Sequence, residues 1–109
     1  MWNKFGAKKT EYNGKLYDSK LEAKYALELD LRLRAKDIRS WEGQIPFQFV
    51  VNGEKICKHI VDFKITHNDG SIEYVETKGR KTRDWVIKRK LLNALFLKGT
   101  PGVRYTVVT

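Results

Sequence analysis

Apolar and polar positions recur with two different periods along this chain, and each change of period marks an element. From Ser19 to about Lys36, Leu21, Tyr25, Leu29 and Leu33 return every four residues, the spacing of an apolar stripe on one face of a helix. Ser19-Lys20-Leu21-Glu22 opens this stretch with the S-x-x-E form that satisfies orphan N–H groups in a first turn, and Asp37 ends the pattern. Extended runs follow. Ile38 to Trp41 begins a strand that resumes as Phe47 to Val51, with Pro46 marking a break or an edge. Asn52-Gly53 is a hairpin turn, and Lys55 to Thr66 and Ser71 to Lys78 are the next two strands. Helical spacing returns from Thr82, a candidate N-cap, to Lys98, with Ile87, Leu91 and Leu95 on its sheet side. Gly99, Pro101 and Gly102 stop it, and Val103 to Val108 closes the chain as a strand. Ahead of the first helix, Tyr12-Asn13-Gly14-Lys15 reads as a tight turn between two short extended pieces. The order α-β-β-β-α-β predicts an α/β domain whose sheet is flanked by helices.

At 109 residues the chain makes one domain, large enough to bury a core without disulfides or a structural metal. Residues 1–9 form a candidate flexible basic arm. Cys57 is the single cysteine, so neither an internal disulfide nor a Cys-rich zinc site can form. No apolar run reaches the roughly 18 residues of a membrane span, and the first residues lack an apolar leader core. These features predict a soluble, cytoplasmic protein without a membrane partner. Lys and Arg number 22 against 13 acids, for a net charge of +9. Such a balance favours a polyanionic partner, although many small domains are basic for solubility alone.

Candidate chemistry comes from strand geometry. Glu76 and Lys78 are two apart and project from the same face of one strand. If Asn68-Asp69-Gly70 is a three-residue hairpin loop with Gly70 in the left-handed conformation, His67 pairs with Ser71, and the register carries Asp62 opposite Glu76. Two carboxylates so placed repel each other; a divalent cation between them reverses the sign. Hard oxygen donors of this kind suit Mg²⁺, which keeps several waters, and Lys78 beside it could orient or deprotonate a water and offset phosphate charge. A one-residue change in the loop would move Asp62 to the other face. The plainer interpretation is that Glu-Thr-Lys decorates a solvent-facing strand. Against it, Asp62 sits within Ile60-Val61-Asp62-Phe63, a run fit for burial, where an unpaired charge is costly. His59 lies three residues from Asp62 and so on the opposite strand face; it and His67 read as solvent or structural histidines rather than as metal ligands.

Asp62 with Glu76-Thr77-Lys78 resembles the PD-(D/E)xK nuclease superfamily. Tyr17-Asp18-Ser19-Lys20-Leu21-Glu22-Ala23, Gln44-Ile45-Pro46-Phe47, Asp62-Phe63, Lys78-Gly79, Thr82 and Lys88 resemble a family of small phage and prophage proteins within it. Ile60-Val61 stand where the superfamily's name places a proline. The resemblance implies a restriction-endonuclease-like core with a mixed sheet. It further implies Mg²⁺-dependent cleavage of DNA (Mn²⁺ substituting), with Glu22, Asp62, Glu76 and Lys78 catalytic. Asp62, Glu76 and the Thr77 backbone carbonyl would hold the ion, with Glu22 acting through a water. Glu22 has a competing task, since as fourth residue of the capping box it could bond the Ser19 N–H. Gln44 and Lys88 are auxiliary candidates. Holliday-junction resolvases share such folds, which points to branched or structured DNA, to phage replication, recombination or packaging, and to a homodimer; no small-molecule cofactor is implied.

For DNA binding, Lys78-Gly79-Arg80-Lys81-Thr82-Arg83 leads from the acids into a helix N-terminus, a ready phosphate site. Arg80, Lys81, Arg83 and Lys90 are candidate backbone contacts, joined by Lys8 and Lys9 from the arm. No motif for reading base edges is evident, so DNA structure rather than sequence is the expected target. The rival readings are a non-catalytic DNA-binding module and a basic interaction protein of a phage complex.

Overall fold

A computed structural model describes residues 9–109; Lys8 and most of the candidate arm lie outside them. Two short strands, β1 (Thr10–Tyr12) and β2 (Lys15–Tyr17), pair antiparallel across the Asn13-Gly14 turn. They precede α1 (Lys20–Arg34), β3 (Ser40–Val51), β4 (Glu54–Thr66), β5 (Ile72–Thr77), α2 (Arg83–Leu92), a π-helical stretch Asn93–Leu97 and β6 (Val103–Val108). The main sheet has the order β3-β4-β5-β6. Its first three strands are antiparallel, and β6 joins β5 in parallel, which makes a mixed sheet.

Both helices start where the sequence predicts. Ser19 Oγ accepts from the Glu22 N–H at 3.1 Å, and Thr82 Oγ1 accepts from the Trp85 N–H at 3.1 Å, each satisfying a donor that has no partner within its helix. The apolar faces agree with expectation in part: Leu29 and Tyr25 of α1 and Leu91 of α2 pack on the cores, but each face is rotated. On α1 the buried residues are Glu22, Ala23, Ala26 and Leu29, while Leu33 is exposed. On α2 they are Trp85 and Leu92, and Ile87 and Leu95, predicted to pack on the sheet, are exposed. The side of α2 that meets the sheet also carries Arg89, whose guanidinium stands over the Trp85 ring. That mixed face hid the packing stripe from an apolar count.

The two predicted pieces around Pro46 are one strand. Proline is tolerated because β3 lies at the sheet edge, where a missing N–H need not break a ladder. Gln44 (φ 57°) distorts this strand, and the pairing skips from Gly43↔Phe63 to Ile45↔Val61. Across the same point β4 changes the core it serves. Phe63 and Ile65 pack with Val75 and α1, whereas Val61 packs with Phe49 and Leu92 of α2. On β5, Val75 and its neighbour Tyr74 likewise serve different clusters, so α1 and α2 cover opposite faces of the sheet.

The β4–β5 hairpin has the predicted three-residue loop. The His67 N–H donates to Ser71 O at 2.9 Å, Gly70 has φ 89°, and the register runs from Thr66↔Ile72 to Phe63↔Val75. A side chain at Gly70 would be strained by that angle.

Candidate functional site

A cleft of roughly 700 Å³ lies where the β4 switch, the end of β5 and the starts of α1 and α2 meet. Its lining includes Glu22, Asp62, Glu76 and Lys78 together with Asp18, His59, Ile60, Thr77, Arg80 and Thr82. All four predicted catalytic side chains are thus brought to one place. The expectation of two directly facing carboxylates holds only in part. The ladder stops at Phe63↔Val75, and beyond it Thr77 turns towards Asp62. The Thr77 N–H (2.8 Å) and hydroxyl (3.0 Å) both donate to Asp62 Oδ2. Glu76 is drawn the other way: His59 Nε2 meets Oε1, and the Trp85 indole N–H donates to Oε2.

The acids are shifted in different directions as a result. Burial would raise the Glu76 carboxyl, but the His59 and Trp85 hydrogen bonds outweigh it and hold the group below its usual range. Asp62 is raised, by burial first and then by the Glu76 charge, against the lowering effect of the Thr77 donors and Lys78. Glu22 is pushed up to about 7, by burial and then by the charges of Asp62 and Asp18. Desolvation and like charge act together here.

Glu22 reaches the cleft from the first turn of α1 rather than folding back in a full capping box. Its Oε2 accepts from Gln44 Nε2 at 2.8 Å, which gives the left-handed Gln44 a place beside the site. Lys88 does not line the cleft and pairs with Asp84 at 3.3 Å. Lys9, Arg80, Lys81, Arg83 and Lys90 are exposed, and of these Arg80 lines the cleft.

Three contributors escape the sequence pattern. His59, buried, engages Glu76 from β4. Trp85, buried in the first turn of α2, engages the same carboxylate. The Tyr105 hydroxyl from β6 is buried beside Glu76, and burial followed by the nearby Glu76 charge raises its pKa. By the β4–β5 register His59 falls beyond the end of the ladder, so strand parity could not pair it with Glu76. The available signal for Trp85 was an aromatic three residues after an N-cap.

Among the described residues, no three Asp, Glu, His or Cys side chains form a ready-made metal cluster. The donor set nonetheless fits a largely hydrated Mg²⁺, for which one or two carboxylates suffice. Glu22 and Asp62 carry raised pKa values that a cation would relieve, and the cleft offers oxygen donors without a thiol. Asp62 and Glu76 are the carboxylates that would hold it, with Glu22 nearby.

No helix among the described residues is long and apolar enough to cross a membrane. No curated protein and no solved structure matches the chain. Residues 2–106 match the model of a protein family of unknown function, DUF1064, and the chain belongs to that family.

Proposed function

We propose that this chain is a divalent-ion-dependent DNA endonuclease of the PD-(D/E)xK type. The observation that carries the reading is the single cleft lined by Glu22, Asp62, Glu76 and Lys78 and bordered by Arg80 and the N-terminus of α2. The mixed sheet with helices on opposite faces supports a restriction-endonuclease-like core.

Held by Asp62 and Glu76, a Mg²⁺ ion would supply a water of lowered pKa and positive charge to offset that on the phosphate. Both Thr77 donors fall on Asp62 Oδ2 and orient the carboxylate, and Asp62 would be one of the groups that hold the ion. Lys78, half-buried beside the acids, places a positive charge where an in-line attack on phosphorus would build negative charge. Glu22, near neutral pH in its titration, can hold or release a proton on a water at the cleft wall. Arg80 and the first-turn N–H groups of α2 would position the phosphate backbone, with Lys9, Lys81, Arg83 and Lys90 adding weaker contacts. The substrate we favour is branched or structured DNA, on the resemblance to resolvase-like folds, and a homodimer would allow both strands to be cut.

One observation favours the non-catalytic alternative: both Glu76 oxygens already have partners, so an ion at Glu76 must share or displace them. Incubating the purified protein with plasmid, four-way junction, flap and single-stranded DNA, with and without Mg²⁺ or Mn²⁺, separates the readings. Ion-dependent cutting that Asp62→Asn abolishes, with DNA binding retained, is the expected result. Binding without cutting in every lane overturns it.

A further inference from the structure

Trp85 touches both chemical members of the Glu76-Thr77-Lys78 segment. Its indole N–H donates to Glu76 Oε2, while the Lys78 ammonium lies over its ring, 5.9 Å from the centroid. That distance is within the range of a cation–π attraction. Arg89 stands over the same ring at 5.8 Å. The side chain is 5% exposed, and its own backbone N–H is fixed by the Thr82 cap. Tryptophan suits this place for a chemical reason. A ring edge that donates one hydrogen bond and a face that attracts a cation occur together in one rigid group.

We propose that Trp85 is a positioning residue that sets the spacing between the Glu76 carboxylate and the Lys78 ammonium and links both to the start of α2. This rests on the cleavage reading above. Without the indole, Glu76 keeps His59 but loses the partner on Oε2, and Lys78 loses the surface that holds it near the acids. Because Trp85 is in the first turn of α2, a phosphate seated at Arg80 and Thr82 would act on the helix that carries it. The same side chain therefore couples the phosphate-binding end of α2 to the ion-binding carboxylate. His59 closes the other side of Glu76 and shares the task, but it touches only one of the two groups.

The test uses the full chain with its tryptophans (Trp2, Trp41 and Trp85) replaced biosynthetically by fluorotryptophan. Single Trp→Phe variants assign the fluorine resonances, and Mn²⁺, whose unpaired electrons broaden nearby signals, is the probe. The Trp85 signal is expected to broaden at Mn²⁺ concentrations that leave the Trp41 signal sharp. In cleavage assays, Trp85→Phe keeps a ring face but loses the N–H donor. It is expected to need about 10–100-fold more Mg²⁺ for half-maximal rate, the cost typical of losing a partner to a metal ligand, with KM for DNA unchanged. If Trp85→Phe does not fold, Trp2→Phe and Trp41→Phe still assign the Trp85 signal by elimination, and the broadening decides. A wild type that cuts DNA while the Trp85 signal stays sharp removes Trp85 from the site and leaves the cleavage reading standing. So does a Trp85→Phe variant whose only change is thermal stability. A wild type that neither broadens with Mn²⁺ nor cuts overturns both.

Discussion

Glu73 and Glu76 are both buried on β5, three residues apart, and each meets a histidine from the β4 side of the sheet. Glu73 bonds His67 (2.8 Å), Arg104 (3.1 Å) and the Thr106 hydroxyl (2.6 Å). The Arg104 guanidinium supplies a full opposing charge. Burial would raise this carboxyl, but Thr106, Arg104 and His67 together hold it below the usual range. Glu76 is equally well supplied with donors, but it shares the cleft with Asp18, Lys78 and Arg80 and with two further carboxylates of perturbed pKa, Glu22 and Asp62. Both of those extra acids are raised. The Glu73 cluster has its charge balanced, as structural polar groups must be in a low-dielectric setting; the Glu76 cluster retains an excess of negative charge beside open space. Perturbed groups in a cleft mark functional candidates, and the contrast on one strand separates the two kinds of buried acid more sharply than burial does.

Substitutions that split these clusters should have different consequences. The largest effect is expected from Asp62→Asn and Lys78→Ala. Each removes charge stabilisation worth several kcal/mol in the transition state, so ion-dependent cleavage should fall about 100- to 1000-fold with the circular dichroism spectrum intact. Retained cutting in either variant would equate the Glu76 cluster with the structural one.

Glu73→Ala should do the reverse. It leaves His67 and Arg104 without their shared acceptor, and loss of one partner of a buried pair costs about 3 kcal/mol, towards about 2 kcal/mol here because Arg104 is more than half exposed. Urea denaturation should show the loss, while the cleavage rate of the folded protein at low temperature stays unchanged.

The third effect is smaller and depends on pH. The folded-state pKa of Glu22 is raised to about 7, so its contribution to stability is full below the unfolded value near 4.5 and is lost as pH rises through 7. Glu22→Gln should therefore be more stable than the wild type at pH 8, by on the order of 1 kcal/mol after allowing for solvent screening. The two should converge at pH 4. The lowered Glu73 carboxyl has the opposite slope and loses its contribution as pH falls. A Glu22→Gln advantage that persists unchanged at pH 4 would mean that the cleft carboxylate is not the cause.

The smallest effect concerns the charges on α2. Arg83→Ala and Lys90→Ala should each weaken DNA binding uniformly across DNA forms and reduce the slope of log affinity against log salt by about 1. Fluorescence anisotropy over a salt series measures this, and no change in slope would return both residues to a solvated helix face.

Much of this molecule was legible before folding because it depends on neighbours in sequence. The Ser19 and Thr82 caps, the Asn13-Gly14 and Asn52-Gly53 turns and the three-residue loop at Asn68 follow from local backbone preferences, and the loop carried the β4–β5 register with it. That register brought Asp62, Glu76 and Lys78 close enough to be found by counting. Where counting failed, a non-local contact had won. Leu33 on α1, Ile87 on α2 and Leu95 in the π-helical stretch are apolar and evenly spaced, but the sheet takes the faces with Ala26 and Leu29, and with Trp85 and Leu92. Small residues let α1 approach, and one large ring on α2 reaches Glu76.

By itself, then, the sequence determined the order of elements, their ends, and which acids and lysine lie near the turn of β5. Only the tertiary structure decided that β4 changes core between Val61 and Phe63, that His59 and Trp85 hold Glu76, and that Gln44 meets Glu22. The physical reason is one of range. Caps, turns and strand parity are set by dihedral preferences within a few residues, whereas the partner of a buried charge is whichever donor the packing of distant elements brings within hydrogen-bonding reach.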